Sequence, residues 1–249
     1  LNKEEEKLVS MCARCPGEIC YPRIKTDEPM PGLEGAPETC PMRRMPEVLE
    51  SAQAEYRKPD VREFARLASV QEFECYEHTP EGLRTRFPRL EELIQFSQKC
   101  NFKKLGIAFC AGLLNEARML TEVLERKGFE VVSVRCKVGQ APKEVIGIEE
   151  DEKIQGPGRV ETMCNPIAQA MVMSAEGVDL AIMLGLCIGH DTLFIKYCKV
   201  PMTVLAVKDR VLAHNPLAAL YLSKSPYYGR MRTKTDRVGK GEKVTIEIS

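Results

Sequence analysis

From residue 103 onward the chain alternates short apolar runs with amphipathic stretches. "KKLGIAFC" (103–110), "FEVVSVRC" (129–136), "VDLAIMLGLC" (178–187) and "VPMTVLAVKDR" (200–210) are compact apolar segments bounded by polar or turn residues. Such runs read as buried strands. Between the first two, "LLNEARMLTEVLERKG" places apolar residues at helical spacing and closes on Gly128, a residue suited to a helix C-terminus. Further helices are expected over 165–176, 191–198 and 215–222. Strands alternating with helices predict an α/β fold: a parallel sheet of about four strands with flanking helices, Rossmann-like and three-layered, joined by right-handed crossovers.

Upstream the pattern differs. Over 46–102 the periodicity predicts two or three linking helices. One opens at Pro46, a second restarts after Pro59, and "PRLEELIQFSQKC" (88–100) forms the last. Cys75 and His78, three residues apart, are placed on the second helix, where a packed cysteine and an exposed histidine are expected rather than a metal pair. Seven of the sixteen prolines fall before residue 50, and the stretch between Cys20 and Cys40 has almost no large apolar side chains. Such a segment buries too little surface to offset its chain entropy and needs a staple. The division predicted is therefore a cysteine-rich segment (1–45), a helical linker (46–102), an α/β domain (103–222) and a basic tail (223–249).

Charge narrows the partners. Lys plus Arg equals Asp plus Glu, 36 against 36. No overall field attracts nucleic acid or a membrane surface. Only the tail from Ser223 departs from this, with seven basic residues against three acidic, and it reads as a solvated end. No apolar run reaches the length of a membrane span, and "LNKEEEKLVS" lacks a signal core, so a cytoplasmic location is expected. Eleven cysteines in a reducing compartment point to metal ligation or thiol chemistry rather than structural disulfides.

The cysteines fall into two sets. Cys12, Cys15 and Cys20 in "CARCPGEIC", with Cys40 in "ETCPMRR", make a candidate four-sulfur metal site. The C-x2-C turn chelates from one loop. A [4Fe-4S] cluster and zinc are both compatible; cysteine followed by proline at Cys15 and Cys40 favours the cluster. In the second set, Cys110, Cys136 and Cys187 each end a strand. Cys164 precedes "NP", where Asn165 caps a helix and Pro166 opens it, and His214 precedes a second "NP". Sites in parallel α/β sheets form beyond the strand carboxyl ends. Helix amino ends at that edge also favour thiolates.

One rim is therefore expected to gather Cys110, Cys136, Cys164, Cys187, His190 and His214. The cysteines would be ligands or nucleophiles there. His190 would be a ligand or proton donor, Asp191 its orienting group or a helix cap, and His214 a second acid–base group. Lys208 and Arg210, beyond the last strand, either hold an anionic substrate or cofactor beside Cys136 or form a solvated strand end. Cys100 and Cys198 are read as structural. The first strand is not followed by G-x-G-x-x-G, and "GPGR" (156–159) reads as a turn.

"KKLGIAFCAGL", "CNPIAQA", "GLCIGHDTLF" and "VKDRVLAHNPLAALY", in this order behind a cysteine-rich amino end, resemble the DUF1847 family of uncharacterised proteins. The resemblance spans roughly residues 10–222. It implies a four-cysteine metal site near the amino end, with zinc the suspected metal, which maps onto Cys12, Cys15, Cys20 and Cys40. It implies no established reaction. Two functions follow as alternatives. One is a metal- or iron–sulfur-dependent redox or sulfur-handling enzyme, with a second metal or cluster possible at the rim and an unknown small molecule or redox partner. The other is a non-catalytic metal sensor, carrier or assembly factor with a structural zinc site. Oligomeric state is not encoded in these patterns.

Overall fold

The computed structural model describes residues 8–17, 19–223 and 225. Nearly all of the basic tail, "KVTIEIS" included, lies outside the described residues. The chain divides into two compact units, Leu1–Glu74 and Cys75–Ser249.

The first unit holds a short 3-10 turn, Cys12–Arg14, then helices α1 (Pro41–Arg44), α2 (Pro46–Glu55) and α3 (Pro59–Glu74). Pro46 opens α2 as expected. Prolines suit this position because the first helical N–H has no partner to lose. Few side chains here are buried, Ala36 and Gln71 among them. Polar contacts supply the order instead. The Met11 N–H donates to the Thr39 carbonyl (3.3 Å), and the Arg43 guanidinium donates to the Ala36 carbonyl (2.6 Å).

The second unit begins with a hairpin, β1 (Tyr76–Thr79) and β2 (Gly82–Thr85), paired antiparallel. This corrects the helical expectation for His78: it sits on β1, opposite Leu83, and not on a helix with Cys75. Cys75 is buried and His78 exposed, as the residue types suggested. Helix α4 (Arg89–Lys99) follows, burying Leu93, Ile94 and Ser97.

Then come β3 (Lys104–Phe109), α5 (Leu114–Arg126), β4 (Glu130–Arg135), α6 (Pro166–Ala175), β5 (Leu180–Leu184), α7 (His190–Tyr197), β6 (Met202–Ala206) and α8 (Leu217–Leu222). The four strands form one parallel sheet in the order β4-β3-β5-β6. Alternate residues of the central strands serve opposite faces, as pleating demands. Leu105, Ile107 and Phe109 of β3 join Leu180, Ile182 and Leu184 of β5 in packing against α4 and α5. Ala108, Ala181 and Met183 face the other way, toward Ala170 and Met173 of α6 and Phe194 of α7. The three-layer α/β expectation thus holds. Each fully buried leucine, such as Leu124 at 0% exposure, contributes about 1.5–3 kcal/mol by leaving water.

The order β4-β3-β5-β6 places a topological switch point between β3 and β5. The first crossover leaves toward β4 and the next returns past β3 to β5. At such a point adjacent loops diverge and leave a crevice beyond the strand carboxyl ends.

Candidate functional site

Four segments meet at that edge. Cys110 follows β3, with its N–H on the Leu184 carbonyl (3.2 Å). Cys136 follows β4, with its N–H on the Phe109 carbonyl (2.9 Å). The long excursion between β4 and α6 then delivers Cys164. Ion pairs fasten this excursion. Lys143 meets Glu161 at 2.7 Å, and Lys153, its side chain 2% exposed, pairs with Glu144 and Glu150. "GPGR" lies in turns within it, as read. The Asn165 N–H then donates to the Cys136 carbonyl (2.8 Å), which sets Cys164 against Cys136. Asn165 caps α6 through Oδ1 and the Ala168 N–H (3.0 Å), and Pro166 opens the helix, as the "NP" signal predicted.

"GLCIGHD" completes the edge. Gly185 has φ +66°, and an added Cβ would come within 2.7 Å of Leu113 Cδ2. Glycine is required twice over there, for the left-handed turn and for the close approach. Gly189, rather than Asp191, is the N-cap of α7, so the capping expectation for Asp191 is corrected. Asp191 lies inside the first turn, where its Oδ1 accepts the Thr192 N–H (2.7 Å).

The thiols form a connected chain. Cys136, 2% exposed, sits in the middle, and its thiol is linked in ionisation to those of both Cys110 and Cys164. The Ala111 N–H donates to Cys136 Sγ (3.2 Å). Lys208 Nζ lies 3.3 Å from Cys110 Sγ. His190 and Cys164 favour each other's charged forms. Arg210 donates to Cys187 Sγ at 2.9 Å. Both cations beyond β6 are therefore spent on sulfur.

Ionisation follows from these contacts. The neighbouring Cys136 thiol, aided by the Gly112 N–H and Lys208, lowers the Cys110 pKa to about 5. The Cys136 thiol and His190, with the Lys137 charge, lower that of Cys164 to about 4. Cys136 is pushed strongly up, because its proton serves both neighbours and burial disfavours its anion. His190 is raised by its Cys164 partner. Cys187 is also raised. Burial and the Cys110 charge outweigh Arg210 there. At neutral pH Cys110 and Cys164 are thus thiolates, with the Cys136 proton between them and His190 biased toward its protonated form by Cys164.

His214 is held differently. Ala213 and His214 adopt φ +50° and +63°, and His214 Nδ1 accepts the Asp209 N–H (3.1 Å). Asp209 Oδ1 accepts the N–H groups of Val211 and Leu212. Asp209 and His214 thereby organise the turn that carries Arg210. Asn215 is not a helix cap: α8 begins two residues later, after Pro216. Cys100 ends α4, and Cys198 ends α7 and packs on the core, as read for structural cysteines.

Sequence reasoning missed Gln169. It is fully buried on α6, and its Nε2 donates to the Val134 (2.7 Å) and Phe109 (3.2 Å) carbonyls. It thus ties the ends of β3 and β4, which carry Cys110 and Cys136, to the helix that begins after Cys164. Its Oε1 is buried with no partner. The only signal was a glutamine on the apolar face of "NPIAQAMVM".

In the first unit, Cys12, Cys15, Cys20 and Cys40 line one cavity of about 300 Å³ with Met11, Ile19 and Met42. The Met11–Thr39 hydrogen bond brings the segment of Cys12 beside that of Cys40. A 3-10 turn, closed by the Cys15 N–H on the Cys12 carbonyl (3.0 Å), spans the C-x2-C pair. Cys15 Sγ donates to the Gly17 carbonyl (2.9 Å). Among the described residues, no group of three or more Cys, His, Asp or Glu is disposed to hold a metal ion as it stands, at either cysteine set. A four-sulfur donor set in one cavity fits a thiophilic metal, and binding would draw the sulfurs inward. Nor is any helix among the described residues long and apolar enough to cross a membrane.

Fold and edge together define an α/β protein with a thiol-rich edge at its switch point. The chain belongs to the DUF1847 family, described as a protein of unknown function, whose model matches residues 40–205. That span holds all four rim cysteines and His190 but begins at Cys40, so it is narrower than the expected 10–222. The chain is 52% identical over 133 residues to the uncharacterized protein MJ0455 of Methanocaldococcus jannaschii, covering 53% of this chain and 66% of that protein.

Proposed function

We propose that the protein is a sulfur-handling or thiol-redox enzyme whose chemistry lies at the carboxyl edge of the sheet. The clustered rim thiols carry this reading: Cys110 lies against Lys208, Cys187 against Arg210, and the ionisation of Cys136 is linked to that of Cys110 and Cys164. A structural cysteine needs no cation, yet Lys208 and His190 each serve one outer sulfur. Thiolates, not thiols, are the nucleophiles of sulfur chemistry. Cys110 and Cys164 are the ionised sulfurs, and Cys164 is the nucleophile. His190 is the proton donor. Lys208 and Arg210 hold charge at Cys110 and Cys187, and Cys136 shares its proton. Asp191 steadies the first turn of α7. His214 retains only Nε2 for acid–base work. Two cations already against the rim sulfurs disfavour a further cation there, so the rim works with free thiols.

The amino-terminal cysteines take a separate role. Cys12, Cys15, Cys20 and Cys40 would hold zinc or an iron–sulfur cluster. Bound there, zinc supplies a brace for a segment with almost no core, and a cluster adds an electron-transfer centre. Their shared cavity is the supporting observation. It also favours the second reading, a metal-binding module without turnover, if the rim thiols prove inert.

Anaerobic purification with zinc, iron and sulfide analysis tests both parts. Cys12→Ser is expected to lose the metal, and Cys187→Ser to retain it. Equal and complete loss with either variant would contradict two independent sites. Iron and sulfide beyond one cluster would contradict a metal-free rim.

A further inference from the structure

We propose, building on the thiol-rim reading, that the rim exchanges with a low-molecular-weight disulfide, Cys164 attacking and the buried Cys136 resolving. Three features point to this pair. The Asn165 N–H on the Cys136 carbonyl (2.8 Å) ties the residue after Cys164 to Cys136, and the two thiols perturb each other's ionisation. Cys164 alone of the trio has an imidazole partner, so a proton waits beside the departing sulfur. Cys110 is fixed by Lys208 and the Gly112 N–H, which suits it to receive a proton rather than to leave its place.

The exchange balances in two steps. The Cys164 thiolate attacks one sulfur of R–S–S–R, the S–S bond breaks, and R–S⁻ leaves, taking the His190 proton. Cys164 is now a neutral mixed disulfide. One of the two negative charges that kept the proton on Cys136 has gone. Cys136 passes that proton to the Cys110 thiolate, and its sulfur attacks Cys164 Sγ, expelling the second R–S⁻. A Cys136–Cys164 disulfide has formed. The protein is oxidised by two electrons and the substrate reduced to two thiols or thiolates. A dithiol reductant reverses the sequence and restores the rim. Cys164 lies half-buried and Cys136 buried in the sheet edge, a location a small disulfide reaches more readily than one within a folded protein.

The anaerobically reduced full chain is treated with oxidised glutathione, and in parallel with insulin as a protein disulfide, and the products are mapped by peptide mass. The expected result is a Cys136–Cys164 disulfide with two glutathiones released, and slower reaction with insulin. Cys136→Ala is expected to trap glutathione on Cys164. Cys110→Ser is expected to accumulate that adduct on Cys164 and to resolve it about tenfold more slowly at neutral pH. A bond between Cys110 and Cys136 instead, a lasting adduct on Cys164 in the unaltered chain, or preference for insulin would overturn the proposal. Iodoacetamide separates the two levels. Rim thiols that alkylate readily at pH 6 without forming the Cys136–Cys164 bond leave the thiol-rim reading intact and remove the exchange. Rim thiols inert at pH 6 remove both.

Discussion

The two cysteine sets use one residue type in opposite surroundings. Cys12 and Cys20 are exposed and Cys15 and Cys40 half-buried, in a segment of short turns. Cys110, Cys136, Cys164 and Cys187 each stand at the end of a strand or the start of a helix, and each sulfur meets a specific donor. The first set has a cavity but little framework. The second has a framework before any ligand arrives. The contrast teaches that sulfur near a weak core calls for a metal, whereas sulfur on a rigid edge can be tuned by its neighbours.

Removing metal should break this comparison most visibly. A structural thiolate site is worth on the order of 10 kcal/mol, so chelation should abolish hydrogen-exchange protection over residues 8–45. Protection of β3 and β5 should persist. The converse change is Leu124→Ala in the second unit, expected to cost about 2–5 kcal/mol in denaturant unfolding while leaving metal content unaltered. Gly185→Ala should cost about 2–4 kcal/mol, because it joins a left-handed backbone to a clash with Leu113. It should also displace Cys187 and weaken its contact with Arg210, seen as faster alkylation of that thiol.

The smaller effects concern charge. His190→Gln removes the imidazole from Cys164, so its pKa should rise, and for a rise of about one unit its alkylation near pH 4 should slow by about fivefold, with little change at neutral pH. Thiolate stabilisation at Cys110 and Cys164 adds stability that is full above the ordinary cysteine pKa and is lost as pH falls through about 5 and about 4. The raised His190 has the opposite sign. Its contribution is full below the ordinary histidine pKa and fades as pH rises through its folded value. Acid unfolding between pH 6 and 4 should therefore be shallower in Cys164→Ser than in the unaltered chain.

Much of the framework was legible in sequence. The apolar runs marked all four sheet strands, and "NP" after Cys164 located the cap of α6 to the residue. The hairpin was not legible. "YEHT" and "GLRT" are short and largely exposed, so they lack the apolar alternation by which a strand declares itself. The rim cysteines could be placed because strand ends in a parallel sheet share an edge. What each sulfur meets could not. Lys208 and Arg210 reach sulfur through the path of the loop after β6, which depends on the left-handed turn at Ala213 and His214. Gln169 escaped notice because a glutamine in a helix reads as surface until the packing shows it fully buried between two strand ends.

The central claim is that the rim carries ionised thiols at neutral pH. The most direct test is the pH dependence of Cys164 alkylation by iodoacetamide, followed by peptide mass in the reduced full chain. The rate should rise through about pH 4 and be level by pH 6. A rise centred near ~8.5, as for an ordinary cysteine, would contradict the account.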